Sequence, residues 1–91
     1  MIRSCRHKDV QLLLDRKFSR KFQSIAKVAR IRLELLDAAT SLLDLELPGL
    51  RLEALKGDRR GQHSIRINDQ FRICFEWRHG DAHNVEIVDY R

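Results

Sequence analysis

The sequence predicts an α+β domain: two N-terminal helices packed on an antiparallel or mixed sheet of four to five strands. Three observations predict it. Apolar residues recur at helical spacing through roughly the first forty positions, then switch to strict alternation after residue 50. Polar turn clusters separate the alternating runs at hairpin intervals. Ninety-one residues, 43% of them hydrophobic, suffice for one modest core and not for two, so residues 1–91 form a single domain.

Residues 2–5 alternate apolar and polar side chains and can add a strand. Val10, Leu13 and Leu14 then sit at i, i+3 and i+4, the spacing of a helix with one buried stripe. His7 and Asp9 lie at its start, where His7 reads as a cap or a surface residue. Residues 22–39 predict a long second helix, with Phe22, Ile25, Ala26, Ala29, Leu33 and Leu36 on one face. A second stripe of Val28, Ile31, Leu35 and Ala38 predicts that this helix packs against both the sheet and the first helix. Ser41, Asp44, Pro48 and Gly49 mark a connection.

The strands follow. Leu50, Leu52 and Ala54 alternate with Arg51, Glu53 and Leu55. Residues 56–61 form a basic turn that lacks the spacing of a nucleotide-binding P-loop. Two further strands cover residues 64–67 and 71–77, with Ile65, Ile67, Phe71, Ile73, Phe75 and Trp77 on one face. A two-residue loop at Asn68-Asp69 would mix core with solvent across this hairpin. The three-residue loop Asn68-Asp69-Gln70 pairs Ile67 with Phe71 and restores the match. A turn at residues 78–81 leads to a last strand with Val85 and Ile87 inward.

That register sets Arg66 opposite Arg72, and like charges facing across a ladder are destabilising. Either an anion lies over both, or the guanidiniums splay into water or meet carboxylates such as Glu76 and Glu86. By parity Glu53, Arg66, Arg72 and Tyr90 emerge on the sheet face away from the apolar set, with Lys56 at its rim. His63, Phe71, Phe75 and Trp77 fall with the buried set, whereas His79 and His83 lie in or beside a turn and read as solvent-exposed.

Lys and Arg number 18 against 13 acids, a net charge of +5. For a small domain this points to a polyanionic partner, nucleic acid before membrane, or to an acidic protein. The basic side chains of the helical region, Lys17 to Arg32, read as a solvated face. Cys5 and Cys74 lack metal-ligand spacing and fit two free thiols in a reducing compartment. The charged N-terminus has no signal-peptide character and no apolar run reaches membrane-spanning length, so a cytoplasmic protein is expected.

No carboxylate cluster suited to a divalent metal falls on the polar face, and no nucleophile–base spacing is readable, so no cofactor is expected. Cationic donors with Tyr and Glu suit metal-independent RNA cleavage, in which the ribose 2′-OH attacks its own phosphate. Requiring that hydroxyl restricts the substrate to RNA.

MIRSCRHKD at the start, LDAAT in the long helix, LPGLRLEALKGDRRGQHSIRINDQFRICFEW and the closing VEIVDYR resemble the HigB toxins of the RelE/ParE superfamily. The resemblance covers nearly the whole chain in order. It implies a RelE-like fold and a type II toxin that cleaves mRNA in the ribosomal 30S A site and arrests growth. It also implies a HigA-type helix-turn-helix antitoxin that holds the toxin inactive, a heterotetrameric complex with it, and an indirect link to operator DNA through it. By motif it places catalytic roles on Glu53, Lys56, Arg72, Asp89, Tyr90 and Arg91. Arg51, Arg59, Arg60 and Arg66 are the expected RNA phosphate contacts, with Arg59 and Arg60 directed at ribosomal RNA. Some members carry His at the position of Glu53 and many end in His where this chain has Arg91, so the usual neutral-pH proton shuttle is missing. Glu53 as base, with Tyr90 or Lys56 as acid, is the expected replacement. Two other readings compete: a ParE-like gyrase inhibitor, and a degenerate toxin kept for antitoxin binding.

Overall fold

A computed structural model describes residues 1–90. Helix α1 (Lys8–Leu14) and helix α2 (Ala26–Ala38) precede strands β1 (Glu53–Ala54), β2 (Gln62–Arg66), β3 (Phe71–Arg78) and β4 (Asp81–Asp89). The strands form one antiparallel sheet in chain order, and both helices lie on one of its faces. The predicted α+β fold is the observed one. Between them, Ile65, Ile73, Phe75, Ala82 and Val85 from the sheet meet Val10, Leu13, Ala29, Leu33 and Leu36 from the helices, all fully buried. Each large side chain removed from water here contributes about 1.5–3 kcal/mol.

The N-terminal segment supplies the mixed element. Ile2 and Cys5 bridge in parallel to Ala82 and Val85 along the free edge of β4. Arg3 and Arg6 donate their backbone N–H groups to Ala82 and Val85, at 2.8 and 2.9 Å. Covering an edge in this way satisfies backbone groups that would otherwise invite another chain. The Arg3 guanidinium and the Met1 ammonium both reach Asp81, at 3.1 and 3.3 Å, and hold its carboxyl below the usual aspartate range.

Three elements differ from expectation, each for a local reason. Helix α2 begins at Ala26, because residues 21–25 are wound as turns. Buried Ser19 organises that stretch: its hydroxyl donates to Asp9 Oδ1 at 3.1 Å and accepts the Phe22 N–H at 3.3 Å. His7 precedes α1 as an exposed surface residue, one of its two expected roles, and its side chain makes no cap hydrogen bond. The strand expected from residue 50 shortens to Glu53–Ala54, since Gly49 and Arg51 have φ of +87° and +47° and turn the backbone away. Val28, Ile31 and Leu35 of the second α2 stripe do not pack on the sheet or on α1; they face solvent. The core is already filled by the Ala29–Leu33–Leu36 line on the other side of that helix.

Hairpin geometry fixes the sheet register. Asn68 Oδ1 accepts the backbone N–H groups of Gln70 and Phe71, both at 2.8 Å, closing the three-residue loop by an Asx turn. Ile67 N–H meets Phe71 O at 2.9 Å and Arg66 stands opposite Arg72, as the alternation required. Between β3 and β4 the two-residue turn has φ of +52° at His79 and +79° at Gly80. A Cβ at residue 80 would stand 3.3 Å from the Thr40 carbonyl oxygen, so glycine also admits a close approach. Strand β4 carries one extra residue near Asn84, whose φ is +52°. This bulge lets Ala82 and Val85 both point into the core, on either side of it.

Candidate active site

The sheet face turned away from the helices carries Ser64, Arg66, Arg72, Cys74, Glu86 and Val88 in register across β2, β3 and β4. Arg72 is its centre, its side chain only 11% exposed. Its Nε donates to Ser64 Oγ at 2.8 Å. Its Nη2 donates to the Arg51 carbonyl at 2.6 Å and lies 3.8 Å from Glu53 Oε1. The guanidinium stacks over the Tyr90 ring, 5.6 Å from its centroid. A planar donor held on several sides loses little freedom when it meets a phosphate. The φ of +47° at Arg51 is what brings that carbonyl within reach.

Arg66 takes a different path. It folds back on the hairpin, with Nε donating to Asn68 O at 3.2 Å and Nη2 paired with Asp69. The facing arginines therefore diverge, each toward its own acceptors, and neither uses Glu76 or Glu86. Protein acceptors on each guanidinium relieve the like-charge opposition in the ladder.

Glu86, 6% exposed, anchors the other end of the face. Its Oε2 accepts from Arg6 Nη1 at 3.1 Å and from Arg59 Nη1 at 3.4 Å. Arg59 also donates to Gln62 Oε1 at 3.1 Å, so its guanidinium lies along the sheet. The bond to Glu86 raises the Arg59 pKa. Beneath these charges Cys74 is fully buried, and that burial pushes its thiol up, away from the thiolate a nucleophile needs.

Arg59 belongs to the short 3-10 turn Gly57–Arg59, which shapes one wall of a cleft of about 400 Å³ lined by Leu55, Lys56, Gly57 and Arg60. Lys56 and Arg60 are exposed at this cleft, and Leu55 N–H binds Gln62 O at 2.9 Å to pin it to β2. The cleft therefore joins the same strand pair that supplies Glu53 and Ser64.

The structure thus gathers Glu53, Arg72, Tyr90 and the Arg51 carbonyl at one point, and Lys56 with Arg60 at an adjoining cleft. Asp89 is elsewhere: it pairs with Phe71, so parity turns it toward the helix side, where its carboxylate accepts from Gln70 Nε2 at 3.0 Å. Arg91 lies outside the described residues. His63 stacks on Phe75 with ring centroids 6.2 Å apart on the helix side, and its buried Nδ1 has no hydrogen-bond partner among the described residues. Phe71 and Trp77 pack edge-on against Phe22 and Phe75, so these rings belong to the core. His79 is exposed as expected, whereas His83 is half-buried. Among the described residues no three His, Cys, Asp or Glu side chains converge to hold a metal, and no helix is long and apolar enough to cross a membrane.

Two residues with a part in this site carried weak sequence signals. Ser64 shares the parity of Arg72, but a small hydroxyl on an alternating strand has no signature of its own. Glu86 stands out only as an acid in an apolar strand, a position where burial without partners is costly.

Residues 5–91 match the family described as the RelE-like toxin of type II toxin–antitoxin system HigB. The chain is 36% identical over 92 residues to Endoribonuclease HigB of Proteus vulgaris, covering 99% of each. It is 43% identical over 61 residues to Toxin HigB-1 of Vibrio cholerae serotype O1, covering 66% of this chain and 64% of that one. With its helices on one face of a four-stranded meander and its conformationally fixed arginine on the other, the chain belongs to the HigB-like family of type II toxins.

Proposed function

We propose that the chain is an endoribonuclease that cuts translated mRNA in the ribosomal A site, without a metal, by attack of the 2′-OH. The 36% identity to a relative named an endoribonuclease, over nearly the full chain, supports the reaction class. The single observation that carries the mechanism is the guanidinium of Arg72, fixed by Ser64 and the Arg51 carbonyl beside Glu53 and Tyr90.

Glu53 accepts the 2′-OH proton as the 2′-oxygen bonds to phosphorus. The bond from phosphorus to the 5′-oxygen breaks, and that oxygen takes a proton from Tyr90 or Lys56. The products are a 2′,3′-cyclic phosphate and a 5′-hydroxyl, with charge and protons balanced. Arg72 stabilises the charge that builds on the phosphoryl oxygens, where one preorganised donor is worth about 10²–10³ in rate. Lys56 and Arg60 hold flanking phosphates along the cleft. Arg51 adds a surface charge, and Arg59 acts through its hold on Glu86. A HigA-type helix-turn-helix antitoxin is the proposed partner, assembling with the toxin as a heterotetramer in the cytoplasm and linking it to operator DNA.

Primer extension on a translated message tests this. Wild-type toxin produces codon-linked cuts, and Arg72→Ala loses them by about 10²–10³-fold while still binding antitoxin. Intact message together with inhibited supercoiling would instead make the protein a gyrase poison.

A further inference from the structure

Helix α2 carries an apolar stripe that nothing among the described residues covers. Val28, Ile31 and Leu35 are 42, 51 and 37% exposed, and Ala38 continues the line. At about 100° per residue these four fall within an arc of roughly 80°, on the side of the helix opposite Ala29, Leu33 and Leu36. A helix apolar on two opposed faces needs a neighbour on each, and here the sheet supplies only one. Lys27 and Glu34 border the stripe on one side, Glu34 paired with Arg16 at 2.7 Å, and Arg32 borders it on the other.

We propose that this stripe seats the antitoxin, through a segment that presents apolar side chains flanked by carboxylates. The proposal rests on membership of a toxin–antitoxin family and is independent of the cleavage chemistry. Branched aliphatic side chains offer RNA neither stacking nor hydrogen bonds, so ribosomal or messenger RNA has no use for them. A second copy of this chain would bring together two molecules that each carry a net charge of +5. An acidic partner meets Lys27 and Arg32 favourably, Glu34 being already paired with Arg16, and buries the centre. The stripe also lies across the sheet from Arg72, so the seat and the catalytic cluster can be altered separately.

The test uses the full-length toxin with the antitoxin encoded beside it, separated after co-expression and recombined in a calorimeter. The double variant Ile31→Asp with Leu35→Asp should bind the antitoxin ~100-fold more weakly, with melting temperature and RNA cleavage unchanged. Unchanged affinity overturns the proposal. Methyl NMR of the wild-type toxin decides the matter even if that variant fails to fold. On antitoxin addition the Val28, Ile31 and Leu35 methyl resonances should move, and their staying fixed while others move overturns the proposal. Concentration-dependent self-association of free toxin, abolished by the double substitution, would give the stripe to a second copy and overturn it too. Should Arg72→Ala cleave like wild type, the nuclease reading fails while the binding measurement still stands.

Discussion

The two faces of the sheet are built from the same strands and obey opposite rules. On the helix side, Ile65, Ile73 and Phe75 are held by packing alone, and neighbours are interchangeable hydrocarbon surfaces. On the open side, Ser64, Arg72 and Glu86 are held by named hydrogen bonds, and each position depends on particular acceptors. Parity assigns a residue to a face on both sides. Only on the open side does that leave its direction undecided, as the divergence of Arg66 and Arg72 shows. Proximity in a ladder is therefore a poor guide to which cation meets a substrate.

Substitutions at neighbouring positions sharpen this contrast. Phe75→Ala removes a fully buried ring and should lower folding stability by about 3–5 kcal/mol in urea denaturation. A loss below about 1 kcal/mol would mean that the helix side is not close-packed. Ser64→Ala removes the acceptor of Arg72 Nε and should slow cleavage by roughly tenfold, in line with about 1.5 kcal/mol for a hydrogen bond to a charged group. Single-turnover assays would show this as a fall in rate with antitoxin affinity unchanged.

Much of this was legible in the chain. Alternation through residues 62–78 gave both faces, and the Asn68-Asp69-Gln70 loop gave the register that puts Arg72 beside Ser64. Other features depend on tertiary geometry that no local pattern records. The bulge at Asn84 changes the parity of β4 partway along. The positive φ of Arg51 creates an acceptor out of a backbone carbonyl. The second α2 stripe has the spacing of a core stripe, and periodicity cannot say whether the chain itself or another protein covers it. A terminal motif groups Asp89 with Tyr90, while strand parity separates the two.

Arg66→Ala, on the same face as Arg72, should cost less than about 1 kcal/mol of stability, because its ion pair with Asp69 is largely solvated. Its effect on cleavage should be well below that of Arg72→Ala, and parity of the two would mean that both arginines serve the phosphate.

The smallest effect concerns pH. Asp44 Oδ2 accepts from the backbone N–H groups of Thr40 and Ser41 at 2.9 and 3.2 Å, and these bonds hold its carboxyl below the ordinary range. The unfolded chain therefore takes up this proton first. The stabilisation is complete above the unfolded aspartate value, about 3.9, and fades as pH falls through the lower folded value. Asp44→Asn should flatten the acid limb of the melting-temperature profile and leave its neutral slope alone. A changed slope near neutrality would point to another group.

The most direct measurement is single-turnover cleavage of a ribosome-bound message by Arg72→Lys and Arg66→Lys side by side. A lysine keeps the charge but cannot bridge Ser64, the Arg51 carbonyl and a phosphate at once. Arg72→Lys should lose about 10²-fold or more, and Arg66→Lys far less. Full activity in Arg72→Lys, or equal losses in both, would mean that Arg72 is not the preorganised phosphate donor.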